Sequence, residues 1–150
     1  ISASTSAPMA RTLRVAPSDA GLRQDAARSR LKSGDRRGAL AALGRAVDAA
    51  PYSAPARVMA GEILRAEGDW RRLLAVAGEA LSLEPDCGQA ALQKAEAELR
   101  LGLPAEARRT LEGLAASGAR PLSELTQTGE RLYVGYDEGR LRSLRAELDR

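Results

Sequence analysis

Leu31-Lys32-Ser33-Gly34-Asp35, Arg65-Ala66-Glu67-Gly68-Asp69 and Leu99-Arg100-Leu101-Gly102-Leu103 recur at a fixed interval of 34 residues. A period of this length marks an array of stacked supersecondary units, none of which buries its apolar face alone. Other positions share the phase. Upstream of each Gly stands a small residue: Ala27, Gly61 and Ala95. Downstream come Ala39, Leu73 and Ala107, then Leu43, Ala77 and Leu111, then Ala46, Ala80 and Leu114. Pro51 and Pro85 follow, and Ala119 breaks the pattern in the third copy.

Each mark has a physical meaning. A small residue lets two helices approach. Gly34 and Gly68 end a first helix in the left-handed region at little steric cost. Asp35 and Asp69 accept hydrogen bonds from the exposed N–H groups that open a second helix, and the prolines prevent that helix from continuing. Each unit therefore reads as helix, tight turn, helix, short loop.

With these residues in place, the chain resembles the tetratricopeptide-repeat family. The resemblance spans 102 of 150 residues, in copies 20–53, 54–87 and 88–121, the third being the weakest. It implies an all-α fold, a right-handed superhelical array of antiparallel helix pairs. Residues 1–19 read as a flexible lead. The aperiodic stretch before Met9 is expected to be an expression scar or linker, the alternatives being a native tail or the edge of a longer protein. Residues 122–150 read as a degenerate fourth pair or C-terminal cap. There Gly129 takes the close-packing position, and Leu141, Leu144 and Leu148 lie on one helix face.

Composition agrees with such a chain. Apolar residues make up 44% of it, Phe is absent and aromatics reach only 3%, so the core must be Leu, Val and Ala. The chain has no His and one Cys, Cys87. It therefore holds neither a Cys/His zinc site nor a Ser-His-Asp or Cys-His arrangement, and it carries no glycine-rich phosphate loop. No enzymatic activity and no cofactor or metal are expected. A lone Cys mildly suggests a reducing compartment. With no apolar run long enough to span a bilayer, the expected location is the cytoplasm, or the periplasm if the native N-terminus lies upstream.

The net charge is +3, and all basic residues except Lys32 and Lys94 are Arg, a bias typical of a GC-rich bacterial genome. Arg36-Arg37, Arg71-Arg72 and Arg108-Arg109 recur near the start of each second helix. Nucleic-acid grooves combine such charge with stacking aromatics, and only Trp70 is near, at a position usually buried in this family. No nucleic-acid partner is expected.

The resemblance instead implies a groove lined by the first helix of each repeat, where family members bind extended peptides or helices. Carried over by position, the lining is Gln24, Arg28, Leu31 and Lys32, then Val58, Glu62 and Arg65, then Leu92, Glu96, Leu99 and Arg100, with Glu130 and Tyr133 from the degenerate fourth unit. Glu62, Glu96 and Glu130 again repeat every 34 residues and are expected to form an acidic ladder. Arg65 and Arg100 sit within pairing distance of a Glu on their own helices. The expected partner is a protein or peptide segment with apolar anchors and basic charge. Leu92→Asp and Glu62→Arg are expected to weaken its binding with little loss of helicity. The family's clamp for acidic chaperone tails uses Lys, Arg and Asn. Asn is absent here, and Glu62 and Glu96 would repel such a tail. The rival readings are a regulatory or substrate-presenting domain of a larger transferase and a chaperone for a secreted protein. Self-association through open array ends is also allowed.

Overall fold

The computed structural model describes residues 30–125 and 134–150. Gln24, Ala27, Arg28, Gly129, Glu130, Tyr133 and the lead 1–19 lie outside them. The chain divides into two compact units, Ile1–Ala56 and Arg57–Arg150. Its helices are α1 (Arg36–Ala49), α2 (Ala54–Glu67), α3 (Trp70–Leu83), α4 (Gly88–Arg100), α5 (Pro104–Ala116) and α6 (Glu138–Leu148), preceded by a helical turn at 30–32. The unit division falls within α2. A short 3-10 turn, Leu122–Glu124, lies between α5 and α6. Among the described residues there is no strand, only an isolated parallel bridge between Pro121 and Tyr136.

The three phased glycines end their helices in the same way. Gly34, Gly68 and Gly102 have φ of 86°, 75° and 80°. Each Gly N–H donates three residues back, to Leu31, Arg65 and Leu99. The next N–H, from Asp35, Asp69 and Leu103, donates five back, to Arg30, Leu64 and Glu98. This paired closure satisfies helix-end carbonyls that would otherwise be orphaned.

The same residues open the following helices. Asp35 accepts from the Gly38 N–H at 2.9 Å and Asp69 from the Arg72 N–H at 3.3 Å. Leu103 offers no such cap, and α5 starts instead with Pro104 in its first turn, where a missing N–H costs nothing. Asp69→Ala is expected to cost about 1 kcal/mol. A denaturant midpoint no lower than that of the parent chain would show that the cap contributes nothing.

In the first unit, Ala39, Ala42, Leu43 and Ala46 form the buried stripe of α1. In the second, α4 is the hub, packed by α3, α5 and α6. Its buried residues run almost all the way round, from Gly88 through Leu92, Gln93, Ala95, Glu96 and Glu98. Leu92 and Ala95 meet Leu111 and Leu114 of α5 and Leu141, Leu144 and Leu148 of α6 in one apolar cluster. Burying a Leu stabilises by about 1.5–3 kcal/mol, so these leucines hold α6 in place. The chain reaches α6 through the backbone of Tyr136, which pairs with Arg120 and Leu122. It passes so close to Gly88 that a Cβ there would meet the Val134 carbonyl oxygen at 2.6 Å. Cys87 is fully buried beside it.

Candidate docking surface

Within the second unit, three helices bring six charged side chains together. Glu62 and Arg65 come from α2, Glu96 and Arg100 from α4, and Arg140 and Glu147 from α6. Arg65 Nε lies 2.5 Å from Glu96 Oε1. Arg100 reaches Glu96 at 3.6 Å along its own helix and grips Glu147 with both terminal nitrogens, at 2.6 and 3.1 Å. Arg140 extends between the two phased acids, 3.3 Å from Glu62 and 3.6 Å from Glu96. The network is thus three carboxylates against three guanidiniums.

The bidentate Arg100 contact sets the titration of Glu147. The Arg100 hydrogen bond, which outweighs the opposing desolvation, holds its carboxyl below the ordinary glutamate value, and the Arg100 guanidinium is raised in turn. A depressed carboxyl gives stability that is complete above its unfolded pKa and lost as the pH falls through the folded value. Arg100 also lies over the half-buried Trp70 ring, 5.9 Å from its centroid, an arrangement in which cation and ring attract.

Gln93 locks the network to the helix backbone. Its side chain is completely buried. Nε2 donates to the Val58 carbonyl at 3.0 Å and to Glu62 Oε2 at 2.8 Å. Gly61 makes room for it, since a Cβ at that position would lie 2.3 Å from Gln93 Oε1. The small residue expected at 61 therefore admits an amide, and the close helix approach is polar rather than apolar.

The structure sorts the proposed lining residues. Glu62, Arg65, Glu96 and Arg100 converge as described. Leu99 is half-buried and leans on the apolar cluster. Leu31 and Lys32 are exposed, in the first unit. Val58 and Leu92 do not line a surface: they are 4% and 1% exposed, Leu92 because α5 and α6 pack on its side of α4. The third acid of the ladder, Glu130, lies outside the described residues, and a cation, Arg140, bridges the other two. Arg65 pairs across helices with Glu96. Arg140 is not among the expected lining residues, and nothing periodic links it to Glu62, 78 residues away.

Three of the six paired arginines have partners within the chain. Arg72 faces Asp69 at 3.5 Å, Arg109 meets Glu106 at 2.6 Å and Arg108 donates to the Leu148 carbonyl. Among the described residues, no helix is long and apolar enough to cross a membrane.

No protein-family model and no curated protein matches the chain. Solved structures do. The first TPR of Spaghetti (RPAP3), bound to the HSP90 peptide SRMEEVD, superposes with a TM-score of 0.67 at 14% identity, over 89% of this chain and 95% of that one. The TPR2B domain of yeast Sti1, in its pHsp70 complex, gives 0.65 at 16% identity, over 86% and 98%. MamA from Desulfovibrio magneticus RS-1 gives 0.61 at 23% identity, over 66% of this chain and 56% of that one. These likenesses and the phased glycine turns agree, and the chain has the tetratricopeptide-repeat fold.

Proposed function

We propose that the chain is a non-catalytic protein–protein interaction scaffold that docks a segment of a partner protein on the face carrying Glu62, Glu96, Arg65 and Arg100. Residues 20–121 act as the repeats, and 122–150 as the terminal cap. The observation that carries this reading is the six-charge network itself. It is concentrated on one face, and Glu62 is 41% exposed at its edge. Glu62 is the most exposed of the six groups. An ion pair made at the solvent edge is worth under about 1 kcal/mol, so a partner can exchange the Glu62 contact at little cost, whereas Glu96 is buried and keeps Arg65. Peptide capture by the similar RPAP3 and Sti1 domains supports the mode of binding. It does not carry over the acidic SRMEEVD peptide, because the most exposed charge of the network here is the Glu62 carboxylate. The partner segment that fits carries a basic side chain for Glu62 next to an apolar residue.

Selection of a random peptide library on the full chain tests this, followed by titration of the recovered peptides. Basic residues are expected to be enriched. Glu62→Arg is expected to weaken their binding about tenfold, which corresponds to about 1.4 kcal/mol, with an unchanged circular dichroism spectrum. Equal affinity for Glu62→Arg and the parent chain would rule out this surface.

A further inference from the structure

The carboxylate pair on this face already holds a guanidinium, and that guanidinium is held poorly. Charge-assisted N–H···O contacts settle near 2.7–2.9 Å. Arg65 and Arg100 reach or beat that range, at 2.5 Å from Glu96 and 2.6 Å from Glu147. Arg140 does not. Its Nη1 stands 3.4 and 3.3 Å from the two Glu62 oxygens. Its Nη2 is 3.6 Å from Glu96 and is buried without a hydrogen-bond partner. A second buried polar atom without a partner, Gln93 Oε1, belongs to the residue that donates to Glu62. Buried polar groups are almost always satisfied, and each one left unsatisfied weighs against the arrangement that contains it. Two such atoms flank one carboxylate.

Release of this side chain does not require release of its helix. Leu141, Leu144 and Leu148 anchor α6 in the apolar cluster. Arg108 donates to the Leu148 carbonyl, and Arg100 grips Glu147. Asp137 caps the first turn by accepting from the Arg140 N–H at 3.0 Å. The backbone at Arg140 is therefore fixed while its guanidinium makes the longest contacts of the three, beside a carboxylate open to solvent.

We infer that Arg140 is an intramolecular stand-in for a partner's basic side chain, an autoinhibitory contact that an incoming arginine or lysine displaces from Glu62. The inference rests on the docking reading above and adds the gate. Displacement exchanges one guanidinium for another at Glu62, and the displaced Arg140 head turns to water, where its charge is screened. The bound state then adds the partner's own backbone and apolar contacts. Affinity is set by the difference between the two occupants, and weakening the internal one must strengthen the external one.

The test uses the full chain and two labelled peptides, one of repeated Ser-Leu-Arg triplets and one of repeated Ser-Leu-Gln triplets. Arg140→Gln is expected to raise affinity for the arginine peptide about fivefold and to leave the glutamine peptide unaffected, the scale set by loss of one partly exposed ion pair. Arg140→Lys keeps the charge but loses the fork; it is expected to give a smaller gain and serves if the first variant folds poorly. Glu62→Gln is expected to lower affinity for the arginine peptide. If Glu62→Gln weakens binding but neither Arg140 variant strengthens it, the stand-in is overturned and docking survives. If the arginine peptide binds no version of the chain, or Glu62→Gln leaves its affinity unchanged, docking itself falls.

Discussion

Leu92→Asp is expected to unfold the second unit, not to silence a binding face. Leu92 stands in phase with groove-lining positions, which suggests a mild surface mutation. Its side chain is 1% exposed and lies in the cluster shared by α4, α5 and α6. Substitution removes a buried Leu, a loss of about 2–5 kcal/mol from burial and packing together. It also places a carboxylate in an apolar cluster with Leu111, Leu141 and Leu144, which adds several kcal/mol more or forces the group to take up a proton. A domain with about 5–15 kcal/mol of total stability does not absorb that sum easily. Loss of the far-UV helical signal at room temperature, or a melting midpoint lowered by more than about 10 °C, is the expected readout. A fully helical Leu92→Asp chain melting with the parent would mean that Leu92 faces solvent and that α6 does not cover α4.

The contrast between Leu92 and Gly68 shows where sequence reading succeeds. A turn is decided by residues adjacent in the chain, so Gly followed by Asp names both its left-handed residue and its cap, and Gly68 and Asp69 perform those tasks. Even the third copy, which lacks the Asp, starts its helix at the expected place because Pro104 supplies another start signal. The face a helix presents depends on what else packs there. Phase assigned Leu92 to a groove, and α6 took that side of α4. Arg140 and Glu62 have no shared period, and only the path of the chain past Gly88 and Tyr136 brings them together. Gln93 was equally silent: a polar residue in a helix reads as surface until the space left by Gly61 is seen to admit it. The charges of the site were therefore legible one by one, and their pairing was not.

Ala95→Leu tests that architecture from the opposite direction, by adding volume. Ala95 is buried in the same cluster and is in phase with Gly61, the other point of close helix approach. Three extra carbons have no space there, and overpacking of this kind costs about 1–3 kcal/mol as neighbours leave their preferred rotamers. Leu has nearly the helix propensity of Ala, so the loss is steric and not conformational. Gly78→Ala is the matched control. It also enlarges a residue inside a helix, but nothing lies within 4 Å of the Cβ it would gain. It therefore keeps only the conformational benefit, about 0.5–1 kcal/mol of added stability. Thermal melts of the two variants are expected to move in opposite directions from the parent. If both rise, α4 has room at Ala95 and is not the crowded hub that α3, α5 and α6 share. If both fall, the outer face of α3 at Gly78 is itself packed against something, and the surface of the array is less open than its helices indicate.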